Sequence, residues 1–218
     1  MDWLAERRAA LAGGWRVAVV AFLLLGGALR WTGLDRDVVD FVLPQAGSEG
    51  RAETFYSFHP DERSVVDGAL AFDDPLHPPY TMYGALPFYL LRGALTGLSW
   101  FGEITPGSDD VYRVGKILSA ALSVACLAAA WGVARQVFSP ATAALSVLLL
   151  AVAPTAVQQA HYYTVDSLFC LLTTASLAAI LYSVPRRSWL ASIVAGVCLG
   201  LSASVRLNAV LLLPVLAA

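Results

Sequence analysis

Beyond Lys116 the chain carries charge at only five positions, Arg135, Asp166, Arg186, Arg187 and Arg206, spread over 102 residues. Uncharged stretches of this length leave a chain little choice. In water they would have to build an oversized core, whereas in a bilayer each run near 20 residues crosses the hydrocarbon as one helix. The whole sequence agrees, with 58% hydrophobic and 14% charged residues in 218, against about 25% charged in soluble domains. The sequence therefore predicts an all-α, polytopic transmembrane helix bundle. The net charge of -2, with no basic patch or RNA-binding motif, argues against a nucleic-acid partner. Cys126, Cys170 and Cys198 sit inside apolar runs, where cysteine packs as a small apolar residue; no disulfide framework or CxxC pair is present.

The gaps between charges set the expected spans at about 15–34, 114–134, 140–157, 165–184, 189–204 and 207–218, with an outer loop at 35–112. The first could be mistaken for a signal peptide, since Arg7, Arg8 and Arg16 precede Val17 to Leu29. Arg30 and Trp31 follow where a small-residue cleavage site would stand, and Trp15 and Trp31 bracket the run as an aromatic belt. It reads as a retained anchor with a cytoplasmic N-terminus, Arg30 snorkelling to the far headgroups. Ser139 and Thr164 are expected N-caps, with Pro140 at a first helical position. Pro185-Arg186-Arg187 is expected to end a helix, and residues 189–218, too long for one crossing, to break near Ser202 to Asn208.

The topology turns on Tyr83 to Phe101. If it spans, Arg135 and the Arg186-Arg187 pair lie outside the cell and the acidic segment Glu103 to Asp110 lies inside. If it rests in the interface, Arg7, Arg8, Arg16, Arg135, Arg186 and Arg187 are all cytoplasmic, as the positive-inside rule requires. Pro87 and Arg92 also interrupt it, so a juxtamembrane helix on the outer surface is expected. The outer face then collects His59, Asp61, Glu62, Asp67, the Pro78-Pro79-Tyr80 turn, His161, Tyr162, Tyr163 and Asp166. Arg113 and Lys116, three apart on one helix face, and Arg206 join them.

Ionisable groups beside a bilayer are costly and mark function by default. The tetrad His59-Pro60-Asp61-Glu62 is the most pointed case. A carboxylate at the interface suits a general base, and Arg or Lys nearby suits a departing phosphate. Bland alternatives stand beside this. Pro60 with two acids in a first turn fits simple capping, as does Asp166 after Thr164. The His161 to Tyr163 segment fits an aromatic belt, and Arg113 with Lys116 fits a headgroup anchor. His59 and His77 with the two acids match no standard metal-ligand spacing, so no cofactor is expected. Walker, Rossmann and GxSxG motifs are absent. A secondary transporter would favour midplane charges and inverted repeats; a non-catalytic scaffold would tolerate loss of Asp61.

Taken in order, several segments resemble the GT-C membrane glycosyltransferases, in the branch of the protein O-mannosyltransferases and the aminoarabinose-lipid A transferase. His59 to Glu62 after an anchor ending LRWTGL is similar to that family's first outer loop. AHYYTVDSLF (160–169) is similar to its Asp-headed helix, and Arg113 with Ser119 to its loop-to-helix arginine. Pro78 to Leu90 is similar to its proline-aromatic segment. GLSASVRLN (200–208) resembles a stretch in which Lys more often stands at the place of Arg206. The resemblance implies an inverting transferase that moves a sugar from a polyprenyl-phosphate donor to an acceptor hydroxyl on the periplasmic face of the inner membrane. It implies Asp61 as base, Glu62 orienting it or touching the acceptor, and Arg113 as the donor-phosphate ligand, with Lys116 and Arg206 as secondary candidates. His59, His161, Tyr163 and Asp166 become acceptor or donor contacts. The acceptor class, whether protein, lipid or glycan, does not carry over. Members of the family are longer, and this chain ends within an apolar run, which together predict the N-terminal part of a larger transferase.

Overall fold

The computed structural model describes residues 2–35, 38–42, 51–55, 57–71, 83–102 and 110–214. The Pro78-Pro79-Tyr80 turn, His77, the acidic segment 103–109 and residues 215–218 lie outside these, as do the side chains of residues 2–13. The chain runs α1 (Asp2–Trp31), β1 (Val38–Val42), β2 (Arg51–Phe55), α2 (Pro60–Leu70), α3 (Leu86–Ser99), α4 (Asp110–Val137), α5 (Pro140–Val152), α6 (Pro154–Ala160), α7 (Val165–Arg186) and α8 (Trp189–Ala203). A 3-10 turn over Leu207–Leu212 follows. It is an α-helical membrane bundle. The loop after α1 adds to it a two-stranded antiparallel ribbon, Val38 opposite Phe55 and Val42 opposite Arg51.

Three helical segments are long and apolar enough to cross a membrane: Gly14–Trp31 in α1, then α4 and α7. Their outward faces are bare apolar surface, with Val17 71%, Leu24 69% and Val184 72% exposed, as lipid contact requires. Between helices the contacts are small and polar. Ser119 and Ser167 hydroxyls lie 2.9 Å apart across α4 and α7, and Ser176 donates to the Ala195 carbonyl of α8. Lipid tails are as apolar as leucine, so close backbone approach and such hydrogen bonds supply the association.

Residues 140–157, expected as one straight span, are instead two helices bent by 57° at Ala153. The cause is Pro154. In an unbroken helix the Leu150 carbonyl would accept from residue 154, which has no N–H, and the bend carries Thr155 away from Ala151. Two carbonyls are thereby orphaned inside the bundle. Arg30 takes both, donating to Ala151 O at 2.9 Å and Leu150 O at 3.3 Å, with further bonds to Gly26 O and the Ser123 hydroxyl. At 1% exposure it does not snorkel to headgroups, as its place at the end of an apolar run suggested. It clamps α1 and α4 to the broken helix.

Other termini follow local chemistry. Ser139 caps α5 through the Thr142 N–H. Thr164 occupies the N-cap of α7 without capping it; its hydroxyl faces Asp166 at 3.5 Å. The helix runs through Pro185 to Arg186, two residues beyond the expected stop, because a proline in the last turn forfeits only one fraying bond. Arg187 closes it in the left-handed region at φ 49°. α8 ends at Ala203, and the chain turns at Ser204 to Arg206 into the 3-10 segment.

The largest buried cluster lies at one end of the bundle. Val65, Val66 and Ala69 of α2 meet Phe88, Leu91 and Leu95 of α3, together with Val111, Tyr163, Val165, Leu168 and Val205. α3 has 14 residues, about 21 Å at 1.5 Å each, short of a roughly 30 Å hydrocarbon core. It packs one face on this cluster, while Arg92, Gly93 and Thr96 are exposed. The loop is thus a packed cap that presents the first turn of α2 to the bundle.

Candidate active site

His59 is the N-cap of α2, its Nδ1 accepting from the Asp61 N–H at 3.2 Å, with Pro60 at the first helical position. Capping is therefore done by the histidine, which leaves both acids to other work. Successive helical residues point about 100° apart, and the two carboxylates diverge accordingly.

Glu62 shares the face of Val65, Val66 and Ala69 and is fully buried. Its Oε1 accepts from the Tyr163 N–H at 2.9 Å and its Oε2 from the Ser57 hydroxyl at 2.9 Å. The Tyr163 hydroxyl in turn donates to Pro87 O at 2.7 Å. Burial pushes the Tyr163 phenol well above its ordinary range, so it remains a donor. The tyrosine ring lies where a Cβ on Gly115 would sit, 2.9 Å away. Glu62 and Tyr163 peg α2, α3, α4 and the α6–α7 turn together.

Asp61 turns the other way, only partly buried, and its carboxylate accepts a hydrogen bond from the Tyr83 hydroxyl. Arg206 adjoins the same tyrosine, its Cζ 5.4 Å from the ring centroid, and pairs with Asp166 Oδ1 at 2.7 Å. Burial and the Asp61 carboxylate raise the Tyr83 phenol, so it too stays protonated. Residues far apart in sequence thus form one row, Asp61, Tyr83, Arg206 and Asp166. Arg206 and Asp166 are each about 31% exposed in the side chain. The row leads into a cavity of about 460 Å³ between α1, α4, the broken helix and α7, touched by Asp166, Ser167, Gln159, Leu127 and Arg30. Its wall is mainly apolar, and the Gln159 Oε1 is buried without a partner among the described residues.

The other expected residues are dispersed. Arg113 is exposed and pairs with Asp35 at 3.4 Å. Lys116 is buried in α4, so the shared face splits into a surface cation and an interior one. His161 directs Nδ1 at Val157 O and Nε2 at Thr32 O, tying α6 to the end of α1. The His59 ring lies 5.5 Å from that of Tyr162. Among the described residues no three of His, Cys, Asp or Glu are grouped as metal ligands.

Sequence reasoning passed over Tyr83 and Gly84. The Gly84 N–H donates to Val205 O at 3.0 Å, and a Cβ there would stand 1.7 Å from the Ser204 backbone oxygen. Only glycine allows the two strands of chain to meet and bring Tyr83 onto Arg206. Gly84→Ala is expected to cost roughly 3 kcal/mol, the top of the overpacking range, read as a lowered unfolding midpoint in detergent. Gly93→Ala, in open space on α3, is the control. It is expected to raise the midpoint slightly, since alanine favours a helix by about 0.8–1.0 kcal/mol.

A family model described as dolichyl-phosphate-mannose-protein mannosyltransferase matches residues 98–218, just over half of the chain. The match contains Asp166 and Arg206, while Asp61 and Glu62 precede it. No curated protein and no solved structure matches the chain at a significant level. The segment from α4 onward, which carries half of the polar row, therefore has a recognisable kin: the chain belongs to the dolichyl-phosphate-mannose-protein mannosyltransferase family of membrane glycosyltransferases.

Proposed function

We propose that this protein transfers a sugar from a polyprenyl-phosphate donor to an acceptor hydroxyl, with inversion, on the outer face of a bacterial-type inner membrane. The observation that carries the reading is the row Asp61–Tyr83–Arg206–Asp166 at the mouth of an apolar intramembrane cavity. Such a mouth suits a substrate with an anionic head and an isoprenoid tail.

In this reaction Asp61 removes the acceptor hydroxyl proton as the oxygen attacks the anomeric carbon. The bond from that carbon to the phosphate oxygen breaks, and the polyprenyl phosphate leaves with the electron pair. Attack opposite the leaving group inverts the anomeric centre. Tyr83 keeps Asp61 aimed, and Asp166 holds the Arg206 guanidinium, whose remaining N–H donors face the growing phosphate charge. Asp166, with Oδ1 spent on Arg206, is a holder of the cation. Glu62 and Tyr163 fix the loop. His59 borders Asp61 as the cap of α2, while Arg113 with Asp35, buried Lys116 and His161 stand apart from the row. The N-terminus is cytoplasmic in this arrangement, and no cofactor is assigned.

The deciding experiment incubates the purified full-length protein in detergent with radiolabelled polyprenyl-phosphate sugars and a panel of hydroxyl acceptors. Label moving to an acceptor, with release of polyprenyl phosphate, supports the reading. A folded protein that neither transfers nor releases label from any donor overturns it, in favour of a transporter or scaffold.

A further inference from the structure

A second cavity, about 650 Å³, lies between α4, α7 and α8 near the opposite end of the bundle from Asp61. Arg135 is 19 residues along α4 from Lys116, about 29 Å at 1.5 Å per residue. The volume falls in the range of small-molecule sites, about 300–1,000 Å³. Small residues such as Gly132, Ala178 and Ala191 leave the space, and Arg135, Arg186 and Gln136 are among its polar side chains.

Arg135 and Arg186 are the cations. Arg186 is steadied over the Tyr182 ring at 4.1 Å. Neither arginine forms an ion pair with a described residue. From Val111 onward the only carboxylate in the sequence is Asp166, and it is held by Arg206 at the far end. The three walls therefore supply two positive charges and no side-chain negative charge. The N-terminus of α8, capped by Ser188, adds a further positive end.

The third group is Gln136. Its Nε2 donates to Gly132 O at 2.8 Å and to Ala178 O at 3.0 Å. These two carbonyls fix the amide orientation, because the flipped form would set oxygen against oxygen. The Oε1 is left buried with no partner among the described residues. A buried acceptor in that state asks for a donor. Leu190 and Val194, which line the same cavity, are 59% and 45% exposed and open it towards the lipid-facing side of α8.

We infer that this cavity binds the headgroup of a hydroxyl-bearing anionic phospholipid, of the phosphatidylglycerol type. The phosphate sits between Arg135 and Arg186, a glycerol hydroxyl donates to Gln136 Oε1, and an acyl chain runs along Leu190 and Val194. Basic pockets between membrane helices suit such headgroups. The site is separate from the transfer chemistry, and its occupant would stiffen the α4–α7–α8 junction.

Native mass spectrometry of the full-length protein tests this with three lipids of matched chains. Phosphatidylmethanol has the charge without the hydroxyls, phosphatidylglycerol has both, and phosphatidylcholine has no net charge. Phosphatidylmethanol is expected to bind about twenty-five-fold more tightly than phosphatidylcholine, at roughly five-fold for each of two arginines. Phosphatidylglycerol should gain about five-fold more from the hydrogen bond to Gln136. Arg135→Gln with Arg186→Gln should erase the first ratio, and Gln136→Leu only the second. Equal binding of the three lipids by the unaltered protein would overturn the inference without any variant. Free glycerol 1-phosphate binding as tightly as phosphatidylglycerol would overturn the lipid assignment in favour of a soluble phosphate.

Discussion

Asp61→Asn is expected to lower kcat for sugar transfer by about 10²–10⁴-fold, the usual contribution of a positioned base, with little change in KM and none in the unfolding midpoint. Its fold is spared for stated reasons. The His59 cap bonds the backbone N–H of residue 61 and not its side chain. An asparagine carbonyl can still accept from Tyr83, and the residue is only partly buried. What the amide cannot do is hold a proton taken from an acceptor hydroxyl. The measurement is label transfer by variant and unaltered protein at equal expression. A variant that retains near-normal turnover would move the base to Asp166, the other carboxylate of the row.

The adjacent residue should behave oppositely. Glu62→Ala removes the acceptor of the buried Tyr163 N–H and of Ser57, and hydrogen bonds to charged groups contribute about 1.5–3 kcal/mol each. A loss of about 3 kcal/mol is expected, with a lowered midpoint and proteolysis within residues 57–71. Activity falls as well, because Asp61 is carried away with α2. Glu62→Gln separates the roles. Its carbonyl can serve Tyr163 and its NH₂ can donate to the Ser57 oxygen, so it should fold within about 1 kcal/mol of the native protein. If Glu62→Ala unfolds at the native temperature, the carboxylate is not the peg described.

Much of the bundle was legible because bilayer physics leaves few options. Charge gaps mark helices, and Pro87 and Arg92 interrupt the segment from Tyr83 to Phe101, whose helix proves too short to cross. The acids of the first loop were legible as a pair but not as individuals. The spacing Glu62, Val65, Val66, Ala69 is that of one helical face, and it foretells burial once α2 is known to begin at Pro60. Arg113 and Lys116 show the limit of such spacing. Three residues leave an angular offset of about 60°, enough for one to reach water and the other the interior. Arg30 was read wrongly because a cation at the end of an apolar run looks the same whether it snorkels or clamps. The difference is made by Pro154, which orphans carbonyls some 120 residues away. Tyr83 and Gly84 were hidden for the same reason, since the contact with Ser204 and Val205 exists only in the folded chain.

The Arg30 clamp also imposes an order on biogenesis. α1 enters the membrane before the broken helix is made, carrying near its end a guanidinium that is costly to bury unpartnered. Its carbonyl partners at Leu150 and Ala151 are 120 and 121 residues further along. At about 5–20 residues per second of synthesis they arrive roughly 6–24 s later. Through that interval α1 must be sheltered at the translocation channel or held near the interface, and the arrival of the broken helix releases it into the bundle. The same bonds that stabilise the finished protein thus act as a timing device, making α1 a late partner in assembly although it is made well before the broken helix.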